Sequence, residues 1–163
     1  MLELALIIAL SLLPAVEVRG ALPAVYYFFH EDPFMKLVGI SVAVGANLAV
    51  APLVLPALKV GEEWLLKQSS TPLRQIRNAY IWVVSRTRSR GRKYVERWGY
   101  LGLAIFVAVP IPGSGAWTGS LLAHILGLQW GKSLVSISAG VIIASLLIIG
   151  MLEGVLGAVY FIH

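Results

Sequence analysis

Apolar residues dominate most of the chain, and short polar or Pro/Gly-rich breaks divide them into five blocks. The blocks cover residues 2–16, 20–29, 34–58, 99–127 and 132–162, and the fourth is itself interrupted. A helix needs about 20 mostly apolar residues to cross the ~30 Å hydrocarbon core of a bilayer. The third and last blocks are long enough, so each is expected to form one transmembrane helix.

A polar, helix-breaking stretch separates the first two blocks. Pro14 cannot continue a helix, because it lacks an N–H and clashes with the preceding turn, and Glu17, Arg19, Gly20 and Pro23 follow within nine residues. At ~1.5 Å per residue, each half is too short to cross the hydrocarbon. The pattern predicts two short helices that form a re-entrant hairpin.

The fourth block has the same design. "LGLAIFVAVP" is apolar up to Pro110, "IPGSGAWTG" follows, and "SLLAHILGL" is apolar again. Two half-length helices flanking a Pro/Gly bend predict a second re-entrant hairpin.

The order of hairpin and span therefore occurs twice. The predicted organisation is repeat 1 at 1–58 (hairpin 2–29, span 34–58), a basic segment at 59–98, and repeat 2 at 99–163 (hairpin 99–127, span 132–162). The fold class expected is an all-α integral membrane protein with two re-entrant hairpins and two full transmembrane helices. Since the hairpins would enter from opposite sides, the plan is an inverted-topology repeat, as in many transporters.

Composition and charge support this interpretation and orient it. The 163 residues are 58% hydrophobic and 13% charged, with a mean hydropathy of +0.83, whereas soluble domains carry about 25% charged residues. Ten of the thirteen Lys and Arg lie between Lys59 and Arg97. Basic residues beside spans stay in the cytoplasm, so 59–98 is expected inside a multi-pass protein of a prokaryotic plasma membrane.

The basic segment itself predicts an amphipathic helix at the membrane surface. Thr71 and Pro72 form a helix-start signal, and apolar residues follow on one stripe. Six basic residues in "SRTRSRGRKYVERW" favour anionic lipid headgroups as partners. Binding to nucleic acid is the weaker alternative.

Glu17 and Arg19 are the first candidate site residues. A charge at mid-bilayer costs about 2.5–3.5 kcal/mol, and such residues usually pair or line a wet path. At positions i and i+2 they share no helical face, so they would converge only in an unwound turn or each find a partner elsewhere. Glu17 is a candidate proton carrier; the alternative is a structural ion pair.

The second candidate site is the turn in the fourth block. Its glycines permit unusual backbone shapes, and a helix restarting near Trp117 would present its positive end to an anionic group. The alternative is close packing through a Gly-x-x-x-Gly pair. The residues of this turn assigned to the pathway are Pro110, Pro112, Gly113, Ser114, Gly115, Trp117, Thr118 and Gly119.

Asn47 is a further pathway candidate, because it is a polar residue in the middle of a predicted span. It could equally hydrogen-bond a neighbouring helix. Metal sites and catalysis find no support: the three histidines have no ligand-like spacing, and Ser114 lacks the nucleophile-elbow pattern. We therefore expect no enzyme, cofactor or metal.

Two stretches carry a resemblance to a known family. "EVRGALP" (17–23) and "GYLGLAIFVAVPIPGSGAWTGSLLA" (99–123) resemble the small multi-drug export proteins, which are small prokaryotic membrane proteins. Val18 stands where Leu is common in that family, and Ser114 where Thr is usual. The paired hairpins also resemble the wider DedA-like group, which implies translocation or scrambling of lipid phosphates. That group separates its acidic and Arg motifs between the hairpins, whereas in this chain both charges share one.

The resemblance and the charged break together favour a small, proton-coupled transporter. Its small organic, anionic or amphipathic substrate would lie between the two hairpin tips. A DedA-like lipid translocase is the first alternative, and a non-transporting scaffold acting through the basic segment is the second. Because one chain offers thin walls for a closed path, a homodimer is expected.

Overall fold

We analysed a computed structural model of the protein, which describes residues 2–14, 16–67, 95–111 and 113–162. These residues are helical with short connections and contain no strand, which confirms the all-α class. The helices are α1 (Leu2–Leu12), α2 (Glu17–Phe28), α3 (Pro33–Leu48), α4 (Val50–Lys67), α5 (95–108), α6 (Ala116–Ile125) and α7 (Trp130–Ile162). The predicted amphipathic helix and most of the basic segment lie outside the described residues.

Local sequence signals set the helix ends. Asp32 caps α3, accepting a hydrogen bond from the Met35 amide at 3.0 Å, and Pro33 occupies the first helical position. The helix α6 ends at Ile125, and two residues later Gly127 has a φ of 62°, a conformation that favours glycine. The amides of Gly127 and Leu128 then satisfy the carbonyls of His124 and Ala123. The polypeptide consequently reverses sharply into α7.

Two helical stretches are long and apolar enough to cross a membrane. They are Pro33–Glu62, which contains an 18-residue window with a mean hydropathy of 2.1, and Trp130–Gly154, which contains one with a mean hydropathy of 2.5. The first combines α3 and the start of α4, which only Ala49 separates. By contrast α1, α2 and α6 have 11, 12 and 10 residues, so each is about half the length of a span.

The short helices pack around the long ones. The α1–α2 pair lies against α3, α2 and α6 both contact α7, and α6 runs along α4. α5 fits closely between α6 and α7, since a Cβ on Gly119 would lie 2.5 Å from Val107 and one on Gly140 would lie 2.7 Å from the Ala104 carbonyl oxygen. The resulting core brings the breaks of both helix pairs together.

Candidate functional site: the two helix breaks

The break between α1 and α2 places a charged residue inside the protein. Glu17 is the first residue of α2 and is only 2% exposed. Its φ of 52° makes it the one non-glycine residue with positive φ in the described chain. Such a conformation costs on the order of 1–2 kcal/mol. The bend thereby turns the carboxylate away from the α2 surface and towards the second break.

The break between α5 and α6 offers backbone groups instead of charges. α5 stops at 108, just before Pro110, Gly113 has a φ of 83°, and Gly115 is the N-cap of α6 with no side-chain cap. The first amides of α6 and the last carbonyls of α5 are thus left without intrahelical partners. The partially negative C-terminal end of α5 and the partially positive N-terminal end of α6 therefore lie close together.

Glu17 supplies the missing cap of α6. Its Oε2 accepts a hydrogen bond from the Ala116 amide at 3.0 Å, and its Oε1 accepts one from the Trp117 amide at 3.1 Å. Carboxylates are favoured at helix N-termini because the free N–H groups and the dipole are both positive there. The anion predicted for this helix end is therefore the protein's own side chain, about 100 residues away in sequence.

Arg19 engages the opposite helix end. Its Nη2 lies 3.2 Å from the Val107 carbonyl oxygen, 3.0 Å from that of Val109 and 3.1 Å from Ser114 Oγ. Its Nη1 donates to Glu17 Oε2 at 3.0 Å. A planar guanidinium suits this role, because its five donors can reach several acceptors together. Arg19 thus caps the C-terminal end of α5 while holding the carboxylate in place.

We call this set of contacts the polar interlock. It comprises Glu17, Arg19, Ser114, the carbonyls of Val107 and Val109, and the amides of Ala116 and Trp117. The Trp117 side chain adds one further crossing contact, since its Nε1 donates to the Leu12 carbonyl at the end of α1 at 3.0 Å. Each helix pair therefore satisfies helix ends of the other.

Gly115 makes the interlock sterically possible. A Cβ built on this residue would lie 1.5 Å from Glu17 Oε2 and 2.5 Å from Arg19 Nη1. Any side chain there would occupy the position of the carboxylate. The glycine is required by close approach, since its own φ of −87° is open to all residues.

One known protein family matches the part of the chain that builds this site. The family model described as "Putative small multi-drug export protein" matches residues 17–147, from Glu17 to the middle of α7. The chain belongs to the small multi-drug export protein family. No curated protein and no solved structure was found to match it. Family membership and the two apolar helices together indicate a membrane protein concerned with export.

The other predicted site residues of this family member fall into two groups. Near the interlock, Ser114 Oγ lies 2.7 Å from the Val109 carbonyl oxygen and Thr118 Oγ1 donates to the Gly115 carbonyl at 3.2 Å. Pro110 and Gly113 shape the turn, and Pro112 lies outside the described residues. These contacts place the two hydroxyls against backbone carbonyls of the α5–α6 break.

The second group lies away from the interlock. Gly20 packs against Val16, since its Cβ would lie 2.5 Å from Val16 Cγ1, and Pro23 is exposed on α2. Asn47 is fully buried and its Nδ2 donates to the Ser11 carbonyl at 2.8 Å. Of the two roles considered for Asn47, the structure shows the bond to a neighbouring helix. Gly119 serves the close packing of α5 and α6.

An apolar groove of about 460 Å³ borders the interlock. Its lining consists of Leu12, Val50, Leu53, Val54, Ala57, Leu58 and Trp117. Leu53 is 64% exposed, so the groove is open at the protein surface near this residue. A pocket of this size accommodates a small organic molecule.

Sequence reasoning missed three parts of the site. The carbonyls that bind Arg19 are backbone groups, which every residue has, so no sequence pattern marks them. The groove residues on α4 look like any other apolar span. His124 and Glu62, which form a 2.6 Å contact between α6 and α4, are 62 residues apart. The described residues hold no cluster of three or more metal-ligating side chains.

Proposed function

We propose that this protein is a membrane transporter in which cargo passes beside the polar interlock. The observation that carries the proposal is the capping of α6 by Glu17 across two half-length helix pairs. Discontinuous helices whose ends meet at depth are how many transporters build a substrate site.

The proposed placement in the membrane follows from helix length and charge. The helices α1, α2 and α6 are too short to span, so each pair enters the bilayer as a re-entrant hairpin, while Pro33–Glu62 and Trp130–Gly154 cross it. The hairpins enter from opposite sides as an inverted repeat. The basic residues within 59–98 then face the cytoplasm of a prokaryotic cell and contact anionic lipid.

The proposed cargo is amphipathic. The groove has no charged lining residue, so it would take an apolar or aromatic portion, with Trp117 as a stacking surface. A polar or anionic group of the same molecule would reach the interlock. There the Arg19 Nε–H has no acceptor among the described residues, and an anion could replace Glu17 at the α6 amides. Exchange between Glu17 and the cargo would then open the path.

Proton coupling follows from the geometry of Glu17. Its two oxygens face three donors, one from Arg19 and two from α6, an arrangement that suits a carboxylate, which only accepts hydrogen bonds. A proton on Oε2 would place a donor against the Arg19 and Ala116 donors and weaken the capping of α6. Protonation of Glu17 would thus act in the same direction as cargo binding.

The test is export of pyrenesulfonate, an aromatic anion, from proteoliposomes under an imposed pH gradient. We expect gradient-driven efflux above empty vesicles, its loss in Glu17→Gln, and its retention in Glu31→Gln, because the Glu31 side chain is 89% exposed and far from the interlock. Gradient-driven efflux by Glu17→Gln equal to that of the parent would reject the proton role. No efflux above empty vesicles from the parent would count against this cargo class.

Lipid translocation is a second candidate, and the opening of the groove at the protein surface favours it. An alkyl chain could enter past Leu53 without leaving the bilayer. Dithionite quenching of a fluorescent phospholipid in proteoliposomes distinguishes the two functions. A protein that moves pyrenesulfonate but leaves half of the fluorescent lipid protected is a transporter only.

We also propose that the protein acts as a homodimer without enzymatic activity or a cofactor. One groove wall is missing where Leu53 is exposed, and a second copy is one way to enclose it. Crosslinking in native membranes should trap a dimer. Only monomer at crosslinker saturation would refute it.

A further inference from the structure

One ion pair lies apart from the interlock and ties together the same two helices that form the groove. His124 Nε2, near the end of α6, is 2.6 Å from Glu62 Oε2 on α4. The two side chains are 16% and 42% exposed. This contact is therefore only partly shielded.

The position of the pair relative to the groove is specific. The groove is bounded by α4 up to Leu58 and by α6 at Trp117. Glu62 is one helical turn beyond Leu58, and His124 is two turns beyond Trp117. The two helices run side by side, so the pair lies just beyond the end of the groove that is nearest the basic segment, which we call its inner end.

The other contact between a histidine and a carboxylate in the described residues makes a useful contrast. His30 lies 3.6 Å from Glu31, its neighbour in sequence, and both are largely exposed. A contact between adjacent residues joins no separate helices. Of these two contacts, only the His124 pair can hold one helix against another.

Other charged and titratable residues occur on α4, α5 and α7. They include Lys59 on α4, Glu96, Arg97 and Tyr100 on α5, and Lys132 on α7. Arg97 lies over the Trp98 ring at 5.8 Å, and Lys132 over the Tyr100 ring at 5.7 Å. These two cations have aromatic partners of their own, and Glu62 is the acid at His124.

We propose that His124 and Glu62 form a proton-operated latch that holds α4 against α6 and controls the inner end of the apolar groove. The functional meaning of the latch rests on the proposed transport along this groove. The latch itself is a property of two helices and is testable without any cargo.

The direction of the pH response follows from the charges. Imidazole ordinarily changes charge between about pH 5 and 8, whereas a carboxyl group is ionised through that range. The pair is strongest when His124 is protonated and Glu62 is ionised. Loss of the imidazole proton as pH rises removes the charge attraction, so the latch loosens towards alkaline pH and the groove widens at its inner end.

The test measures the distance between α4 and the connection that follows α6. The chain has no cysteine, so spin labels on Val60→Cys and Gln129→Cys, both exposed positions, report only on this end of the groove. Pulsed electron resonance in phospholipid nanodiscs gives the distance distribution at about pH 6 and about pH 8. Because the pair is partly exposed, we expect the short-distance population to fall about two- to fivefold at the higher pH.

Three variants in the labelled background decide the outcome. His124→Gln and Glu62→Gln should each abolish the pH response, while His30→Gln should keep it. A distance that does not change with pH in the parent, or a response that persists in His124→Gln, overturns the latch. If the distances respond as expected but pyrenesulfonate and lipid both fail to move, the latch stands and the proposed transport falls.

Discussion

The two broken helix pairs differ in what they bring to their meeting point. The α1–α2 break contributes charged side chains, Glu17 and Arg19. The α5–α6 break, residues 109–115, has no charged residue and contributes the free amides and carbonyls of two helix ends. Glu17 binds the positive end of α6 and Arg19 binds the negative end of α5.

The difference shows that the two halves of the molecule are complementary. A carboxylate and a guanidinium separated by one residue would gain little from pairing only with each other, because burial costs both of them their hydration. Each charge in the interlock also satisfies backbone groups that would otherwise be buried without partners. The polarity of the helices therefore decides which charge goes where.

The largest loss of stability is expected when a side chain at Gly115, in the uncharged α5–α6 break, fills the space that the Glu17 carboxylate occupies. In Gly115→Ala the new Cβ would occupy the position of Glu17 Oε2, so the carboxylate would lose its donors while remaining buried. Breaking one side of a buried pair costs about 3–5 kcal/mol. Chemical denaturation in detergent measures the loss. Gly131→Ala is the control, since no atom lies within 4 Å of its Cβ, and an equal loss there would remove the steric explanation.

A smaller effect is expected on the charged side from Arg19→Lys. The charge stays, but one ammonium group cannot reach Glu17, Ser114 and the carbonyls of Val107 and Val109 together. We expect a loss of about 2 kcal/mol in the free energy of unfolding. Arg97→Lys, at an exposed position, should be neutral in the same assay. Parent stability in Arg19→Lys would show that the fork geometry of the guanidinium is unimportant.

The smallest effect is expected from Ser114→Ala, which removes one of three acceptors of Arg19 Nη2. The two carbonyls remain, so the loss should be about 1 kcal/mol. Ser114→Thr keeps the hydroxyl and should restore most of the stability. Ser41→Ala, where an exposed hydroxyl bonds its own helix, provides the baseline. Equal losses in Ser114→Thr and Ser114→Ala would assign the effect to packing.

Much of the architecture could be predicted because its causes are local. Pro14 and Pro110 lie at the observed helix breaks, although Pro23 lies within α2 and Pro56 within α4. Long apolar stretches identify the two membrane-capable helices. The re-entrant insertion and the inverted repeat remain predictions, since they concern a bilayer and not the fold alone.

The interlock could be predicted only in outline. The charged break and the glycine-rich turn were the predicted site, and an anionic group at the start of α6 was expected. That this anion is Glu17 depends on the left-handed backbone of Glu17 itself. It depends also on the Ala116 and Trp117 amides, which have no intrahelical partners and lie 99 and 100 residues away in sequence. Neither has a sequence signature. Likewise, two roles were considered for Asn47, and its hydrogen bond to the Ser11 carbonyl distinguishes them.

The most direct test of this complementarity exchanges the two charges in Glu17→Arg/Arg19→Glu. The variant keeps both charges and their spacing but would present a cation to the α6 amides and an anion to the α5 carbonyls. We predict that it is at least as unstable in chemical denaturation as Glu17→Gln. Stability equal to that of the parent would show that the residues only pair with each other, and would contradict the capping of the α5 and α6 ends by Arg19 and Glu17.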